Sequence, residues 1–171
     1  AIALGASGFA SLTLQVVWTR LLVQILGPTT YAFSIVVAIF IVGIAGGAAI
    51  ASRLASRVNA GVGLACVLLI SAGLALAAAA AVDWSLLTIA EIVSRPNYEF
   101  ADVLQREVLL VSGLLLPMTL AFGGAFPFAV AMATRREESV SERIGLVYAI
   151  NTIGAILGSL LSGFVLIPRF G

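Results

Sequence analysis

Five polar or amphipathic side chains stand inside two long apolar runs, and their chemistry suits them to binding. Gln15, Trp18 and Arg20 lie in the first run, and Tyr148 and Asn151 lie in the last. A buried amide costs free energy unless it is hydrogen-bonded, so the amides are expected to face a neighbouring helix or a cavity. The chemistry open to this set is the binding of a polar solute in a cavity, or hydrogen bonding between helices alone.

Arg20 is the one charged member of this set. On a helical wheel it lies more than a quarter turn from the stripe that holds Gln15 and Trp18. It is roughly 10 Å along the axis from the centre of its run, so its guanidinium can snorkel to the headgroups. A charge inside a membrane segment is also a functional-site hypothesis by default. Both interpretations of Arg20 stay open.

The composition excludes several classes of protein and of site. Of 171 residues, 61% are hydrophobic and 10% are charged, which indicates a multi-pass protein of the lipid bilayer and not a soluble domain. The chain has no His and a single Cys66, which excludes an internal disulfide and leaves a metal site of the usual His or Cys type without ligands. We therefore expect no cofactor in this segment. The net charge of +1 gives no reason to expect nucleic acid as a partner.

Five apolar runs are long enough to cross the ~30 Å hydrocarbon core of a bilayer. They predict an all-α bundle of five spanning helices in one transmembrane domain, residues 1–171, with a sixth helix expected beyond it as part of a longer polypeptide. Gly27 and Pro28 cannot continue a helix, so the second run is predicted to return antiparallel to the first as a hairpin. The predicted helices are 1–26, 29–52, 58–82, 108–134 and 141–168.

The longest polar stretch, 83–107, separates the third run from the fourth. Its first part predicts an amphipathic helix that lies on the membrane surface, with Trp84 at the interface. Pro96 and Asn97 are expected to end that helix. The stretch would be either a cover over the bundle or a lid over a cavity.

Glycines form stripes on the second and the last run. Gly43, Gly46 and Gly47 share one stripe, and Gly154 and Gly158 share another with Asn151. Helices in lipid associate by close backbone approach at small residues, with polar side chains as added attraction. We therefore expect these glycines to pack helices together.

The fourth run contains Pro117 and Pro127 on either side of two glycines, Gly123 and Gly124. Proline removes a backbone donor and permits bending, so this run predicts a kinked or broken helix. Discontinuous helices are where transporters place their binding sites. A kink that only fits the neighbouring helices is the alternative.

Orientation is predicted from arginine, because the chain has no Lys. Alternating loops put the denser set of arginines on one side and the sparser set on the other, and the denser side is expected to be cytoplasmic. This places the N-terminus in the cytoplasm and the stretch 83–107 outside the inner membrane. The first set is Arg53, Arg57, Arg135, Arg136 and Arg143, and the second is Arg95, Arg106 and Arg169.

Four segments resemble the N-terminal membrane region of bacterial fused spermidine synthase-like proteins. They read SGFASLTLQVVWTRLLVQILGPTTYAF, GIAGGAAIASRLASR, LLLPMTLAFGGAFPFAVAM and YAINTIGAILGSLLSGFVLIPRFG. The resemblance implies a membrane domain that precedes a soluble aminopropyltransferase-like domain, which would be its partner in the same chain. That chemistry needs a soluble α/β domain with a glycine-rich cofactor turn, which this segment lacks, so the segment is not expected to be an enzyme by itself.

The chain is also similar, more weakly, to the first half of a major facilitator superfamily transporter. Residues 47–57 would stand for the glycine and arginine loop after the second helix, although the acidic residue usual in that loop is missing. Three functions therefore remain open: a domain that serves a fused transferase, a transporter half, and a structural bundle that forms a homo-oligomer. A cavity shared by Gln15, Trp18, Tyr148 and Asn151 would favour transport, and glycine stripes on the outer surface would favour oligomerisation.

The predicted orientation can be tested by labelling cysteines in intact cells, in a Cys66→Ser background. Ser139→Cys is expected to be shielded from an impermeant thiol reagent, because it lies in an arginine-dense loop, and Asn97→Cys is expected to react. The reverse pattern of labelling would overturn the orientation.

Overall fold

The computed structural model describes residues 2–26, 30–82, 84–85, 87–88, 100–133 and 140–170, and within these ranges it contains long helices and no strand. The last helix continues through a π-helical turn, Ser162–Leu166, into a short α-helical end, Ile167–Phe170. Each of the five long helices contains a segment long and apolar enough to cross a membrane, which confirms an all-α, multi-pass bundle. The helices are α1 (Ile2–Leu26), α2 (Thr30–Leu54), α3 (Ala60–Ala80), α4 (Phe100–Ala133) and α5 (Val140–Leu161).

Local chemistry explains where α3 and α4 begin. Asn59 caps α3, since its side-chain oxygen accepts hydrogen bonds from the backbone N–H groups of Gly61 (2.9 Å) and Val62 (3.4 Å). α4 begins at Phe100 and not at 108, so its first turns come from the predicted surface stretch. Half of the residues from 100 to 107 are polar but none is Gly or Pro, and the helix continues through them. The rest of the predicted amphipathic helix lies largely outside the described residues.

The two most extensive contacts in the described part of the bundle join helices that are not consecutive: α2 packs chiefly on α4, and α1 packs chiefly on α5. α3 packs on the next helix, α4, less extensively. The predicted neighbours α1 and α2 do touch, but over a smaller surface. The architecture therefore depends on two closely packed helix pairs, α1–α5 and α2–α4, more than on hairpins of consecutive helices.

The α1–α5 pair is parallel and is held at backbone distance by glycines. A Cβ added to Gly154 would collide with the backbone carbonyl of Gly5, and one added to Gly158 would collide with that of Phe9. One turn farther along both helices, the Ser162 hydroxyl donates a hydrogen bond to the carbonyl oxygen of Thr13 at 3.4 Å. In lipid, the hydrophobic effect does not drive helices together, and the van der Waals contacts of this close approach stabilise the pair instead.

The α2–α4 pair is also parallel and is built in the same way. A Cβ on Gly43 would collide with the Thr119 side chain, and one on Gly47 would collide with the carbonyl of Leu120. α4 contributes its own glycine, since a Cβ on Gly123 would collide with the carbonyl of Ile44. A Cβ added to Gly46, the third glycine of the predicted stripe on α2, would lie 3.1 Å from the Leu120 side chain.

α4 is continuous through both of its prolines, so it is not broken. Pro117 is exposed and Pro127 is half-buried. The Thr119 hydroxyl donates to the carbonyl oxygens of Leu115 (3.0 Å) and Leu116 (3.1 Å) and so supplies polar contacts next to Pro117. Each proline removes one backbone hydrogen bond, and the packing of α2 and α3 on α4 holds the helix together around that loss.

We predict opposite effects for two identical substitutions on α5. Gly154→Ala is expected to lower the free energy of unfolding by about 1–3 kcal/mol, because the new Cβ would meet the Gly5 carbonyl. Gly145→Ala is the matched control, since no described atom lies within 4 Å of its Cβ position. It is expected to leave the free energy unchanged or to raise it by up to about 1 kcal/mol through helix propensity. Reversible unfolding in mixed micelles measures both, and equal losses would contradict the parallel glycine contact.

Candidate functional site

The predicted polar residues line two separate cavities. The larger, which we call the Gln15 cavity, has a volume of about 590 Å³ and lies between α1, the start of α2 and the π-helical end of α5. The smaller, which we call the Asn151 cavity, has a volume of about 290 Å³ and lies among α1, α2, α4 and α5. Leu12 borders both cavities and so stands between them.

The Gln15 cavity brings together two long polar side chains of α1, Gln15 and Arg20. Gln15 is half-buried and Arg20 is exposed, and both line the wall. The Thr19 hydroxyl donates to the carbonyl oxygen of Gln15 at 2.7 Å, so that hydroxyl is already engaged within its own helix. The cavity can therefore offer an amide and a guanidinium to a ligand, against walls that are otherwise mostly apolar.

The π-helical turn forms the opposite wall of the Gln15 cavity. Gly163 within the turn has no described atom near its Cβ position, and it leaves this side of the cavity open. π turns are rare and often occur at functional sites. No sequence pattern signals this turn, because the segment Ser162–Leu166 reads as a continuation of an apolar helix.

The Asn151 cavity has mostly apolar walls that include a few neutral hydrogen-bonding groups. Ser7 and Ser11, one turn apart on α1, are both nearly buried and face the same cavity as the half-buried Asn151. Gly123 also lines it, and Pro127, four residues later, has no N–H to donate to the Gly123 carbonyl. The sequence predicts Asn151 but not the two serines, whose only signal is their spacing around Gly8.

Gly8 makes room for Asn151. A Cβ at this position would collide with the backbone carbonyl of Asn151 and would stand 2.8 Å from its side-chain oxygen. The Asn151 amide forms no hydrogen bond with another described residue, although the predicted alternative was a bond between helices. Its polar group is therefore free to meet water or a solute in the cavity.

Tyr148 lies at the rim of the Asn151 cavity. Its side chain is 62% exposed, and its ring stands edge-on to that of Phe126, with centroids 6.2 Å apart and planes at 88°. This edge-to-face contact holds the tyrosine against α4. Tyr148 therefore borders the cavity opening and does not lie inside it.

Trp18 lines neither cavity. It is 3% exposed and belongs to an apolar cluster with Leu22, Val36, Phe40 and Leu115. A large aromatic side chain gains more from this packing than from a cavity wall. The four residues expected to share one cavity, Gln15, Trp18, Tyr148 and Asn151, are therefore separated in the structure. The reason is that α5 contacts α1 at Phe9 and Thr13, between the two cavities.

The two cavities offer hydrogen bonding and one positive charge, and no described residue in either lining is acidic. In the described ranges there is no group of three His, Cys, Asp or Glu side chains that could hold a metal ion. The arrangement suits the binding of a polar or amphipathic molecule more than acid–base chemistry.

Comparison with protein-family models, curated proteins and solved structures finds no match to this chain. The resemblance to the spermidine synthase-like membrane region therefore stays a prediction.

We predict that Asn151→Leu folds and changes the free energy of unfolding by only about 0.6 kcal/mol, the average for a polar contact between membrane helices. The reason is that its amide has no hydrogen-bond partner among the described residues, while the backbone contact with Gly8 is kept. Gly8→Leu is the contrasting control and is expected to separate α1 from α5. Unfolding in mixed micelles measures both variants.

A second measurement reports on the cavity itself. Ser11→Cys, in a Cys66→Ser background, is expected to react with a small water-soluble thiol reagent, because a cavity of about 290 Å³ that holds the polar groups of Ser7, Ser11 and Asn151 has room and partners for water. Ser162→Cys, which is fully buried in the α1–α5 contact, is the matched control and is expected to stay unreactive. Equal reactivity at the two positions would mean that the Asn151 cavity is not hydrated.

Proposed function

We propose that this chain is the membrane domain of a spermidine synthase-like fusion protein, and that it holds a downstream aminopropyltransferase-like domain at the membrane without catalysing the transfer itself. The four segments that carry the resemblance support this proposal through their place in the fold. They supply the glycines and the carbonyl partners of the α1–α5 and α2–α4 contacts, apart from the Gly5–Gly154 pair, in which Gly5 precedes the first segment. A sequence pattern concentrated in helix packing is what a structural membrane domain requires.

The observation that carries the proposal is the separation of the polar residues. Gln15 and Asn151 line different cavities, and Trp18 belongs to the apolar core. A path for a solute across the membrane requires polar groups that converge along one route. Two separate cavities on a rigidly packed bundle favour a scaffold.

The glycine stripes bear on the oligomerisation alternative. Gly43, Gly47, Gly154 and Gly158 all lie in contacts within one copy of the bundle. These stripes are therefore occupied and do not offer a surface for a second copy. A homo-oligomer would need another face of the molecule.

One observation favours the transporter half as a second candidate. The Asn151 cavity lies where four helices meet, and it has donors and acceptors from the buried Ser7 and Ser11 and from the half-buried Asn151. Helix-lined polar cavities of this kind are where transporters bind their substrates. On this alternative the cavity would hold a small neutral polar solute.

We also propose that the protein resides in the inner membrane with its N-terminus in the cytoplasm. The sequence supports this orientation: five arginines lie in or next to the polar segments that follow the second and the fourth apolar runs, and three lie in or next to the other polar segments, and arginine-rich loops are usually cytoplasmic.

The proposal predicts that removal of residues 1–171 from the parent polypeptide leaves a soluble domain that still binds its adenosyl cofactor, because the membrane segment contributes no group to that chemistry. Equilibrium binding of the cofactor to the purified truncated protein measures this. The truncated protein is expected to lose only its association with the membrane fraction.

The transporter alternative has its own outcome. If the truncated domain folds but binds no adenosyl cofactor, and the membrane segment moves a solute into liposomes, transport is the function. In that case Asn151→Leu is expected to slow transport, because Asn151 lines the cavity that would hold the solute. Ser159→Ala is the control, because the Ser159 hydroxyl donates to the Ile156 carbonyl of its own helix at 3.0 Å and lines neither cavity.

A further inference from the structure

A third cavity, of about 340 Å³, lies at the end of the bundle where α1 and α5 begin. Its walls are apolar side chains from four helices, among them Leu4, Leu64, Ala129 and Val147. Among the residues that the structure describes, Arg143 is the one charged member of this lining. We call this space the Arg143 cavity.

The position of Arg143 is unusual for a charged side chain. Its Nε atom is fully buried and has no hydrogen-bond partner among the described residues. Arg143 also falls within the apolar segment Ser141–Phe170, close to its beginning. Arg143 as a whole is half-buried, so one edge of its guanidinium is desolvated without a partner while the rest stays accessible. Pairing with an anion would compensate that desolvation, and the planar fork of donors matches phosphate and carboxylate oxygens. The Arg143 cavity therefore has the chemistry of an anion site with apolar surroundings.

An open apolar groove continues from this cavity. The groove has a volume of about 640 Å³, runs between α1 and α3, and shares Ala3 with the Arg143 cavity. Its walls carry small side chains, such as Ala6 and Ala10 on α1 and Ala72 on α3, and Phe122 of α4 forms its floor. Small side chains on both walls leave room for a flexible apolar chain.

The length of the groove identifies its occupant. On α1 the lining extends from Ala3 to Leu14, which is about 16 Å of helix. One leaflet of a bilayer contributes about 15 Å of hydrocarbon, whereas a spanning helix needs about 30 Å. The groove therefore fits a single acyl chain of one leaflet and is too short for another spanning helix.

We infer that an anionic phospholipid of the surrounding bilayer binds here, with its phosphate on the Arg143 guanidinium and one acyl chain in the groove between α1 and α3. Basic pockets between membrane helices are known to select acidic headgroups, and each nearby Arg adds attraction to an anionic lipid. The bound lipid would join α1, α3 and α5 at a place where α1 and α3 are separated by the groove. This inference does not depend on the function of any downstream domain.

Native mass spectrometry of the full polypeptide tests the headgroup. With phosphatidylglycerol and phosphatidylcholine of the same acyl chains, the wild type is expected to retain the anionic lipid about fivefold more than the zwitterionic one. Arg143→Gln is expected to bring the two lipids to near equality. Arg53→Gln, an exposed arginine at the same end of the bundle, is the matched control and is expected to keep the preference.

A pair of substitutions tests the groove. Ala72→Trp is expected to reduce the retained phosphatidylglycerol severalfold, because the indole fills the groove. Gly73→Trp places the same side chain one residue away, at an exposed position with open space around it, and is expected to leave binding unchanged. Soluble glycerol phosphate, which has no acyl chain, is not expected to compete.

Four outcomes would overturn the inference. The first two are equal retention of the two lipids by the wild type and an undiminished preference in Arg143→Gln. The third is an equal effect of Ala72→Trp and Gly73→Trp. The fourth is a wild-type dimer that Ala72→Trp dissociates, because the occupant of the groove would then be a second copy of the chain.

A measurement without variants tests the inference independently. The thermal midpoint of the wild type is expected to rise more with phosphatidylglycerol than with phosphatidylcholine, and equal rises would also reject the anionic-lipid site.

Discussion

The bundle depends on backbone-to-backbone contact between helices at glycines. Hydrocarbon tails are as apolar as the helix surfaces, so burial alone gives no reason for these helices to associate. Close approach supplies that reason through many van der Waals contacts, as where the Gly8 backbone stands against the Asn151 carbonyl with no room for a Cβ. Contacts of this kind tolerate no added Cβ, which makes them specific as well as attractive.

These contacts also determine where empty space remains. α5 packs against α1 at Phe9 and Thr13, and this contact keeps apart the polar side chains that lie on its two sides. The Gln15 cavity opens on one side of it and the Asn151 cavity on the other. Where α1 and α3 are not in such a contact, an apolar groove remains, and Arg143 stands beside the cavity at its end. The cavities are thus a consequence of which helix faces carry glycine.

The candidate site could be predicted from the sequence only in part. Gln15 and Asn151 are recognisable because an amide in an apolar run has few explanations, and the structure places each in a cavity wall. Trp18 is predicted to line a cavity but lies in the apolar core. An aromatic side chain with one polar N–H group suits either place, and only the neighbouring side chains decide which of the two it occupies. Ser7 and Ser11 are too common in membrane helices to be singled out before α5 is in place.

The sequence by itself determines the fold class, the approximate bounds of the spanning segments and the glycine faces, because these depend on local hydrophobicity, helix breakers and periodicity. The pairing of α1 with α5 and of α2 with α4, the π-helical turn and the partition of the polar residues between two cavities are decided only by the tertiary structure. They depend on which backbones can approach most closely across many intervening residues. The pairing of two helices depends on how well both of their surfaces fit together, and the sequence of one helix does not specify its partner.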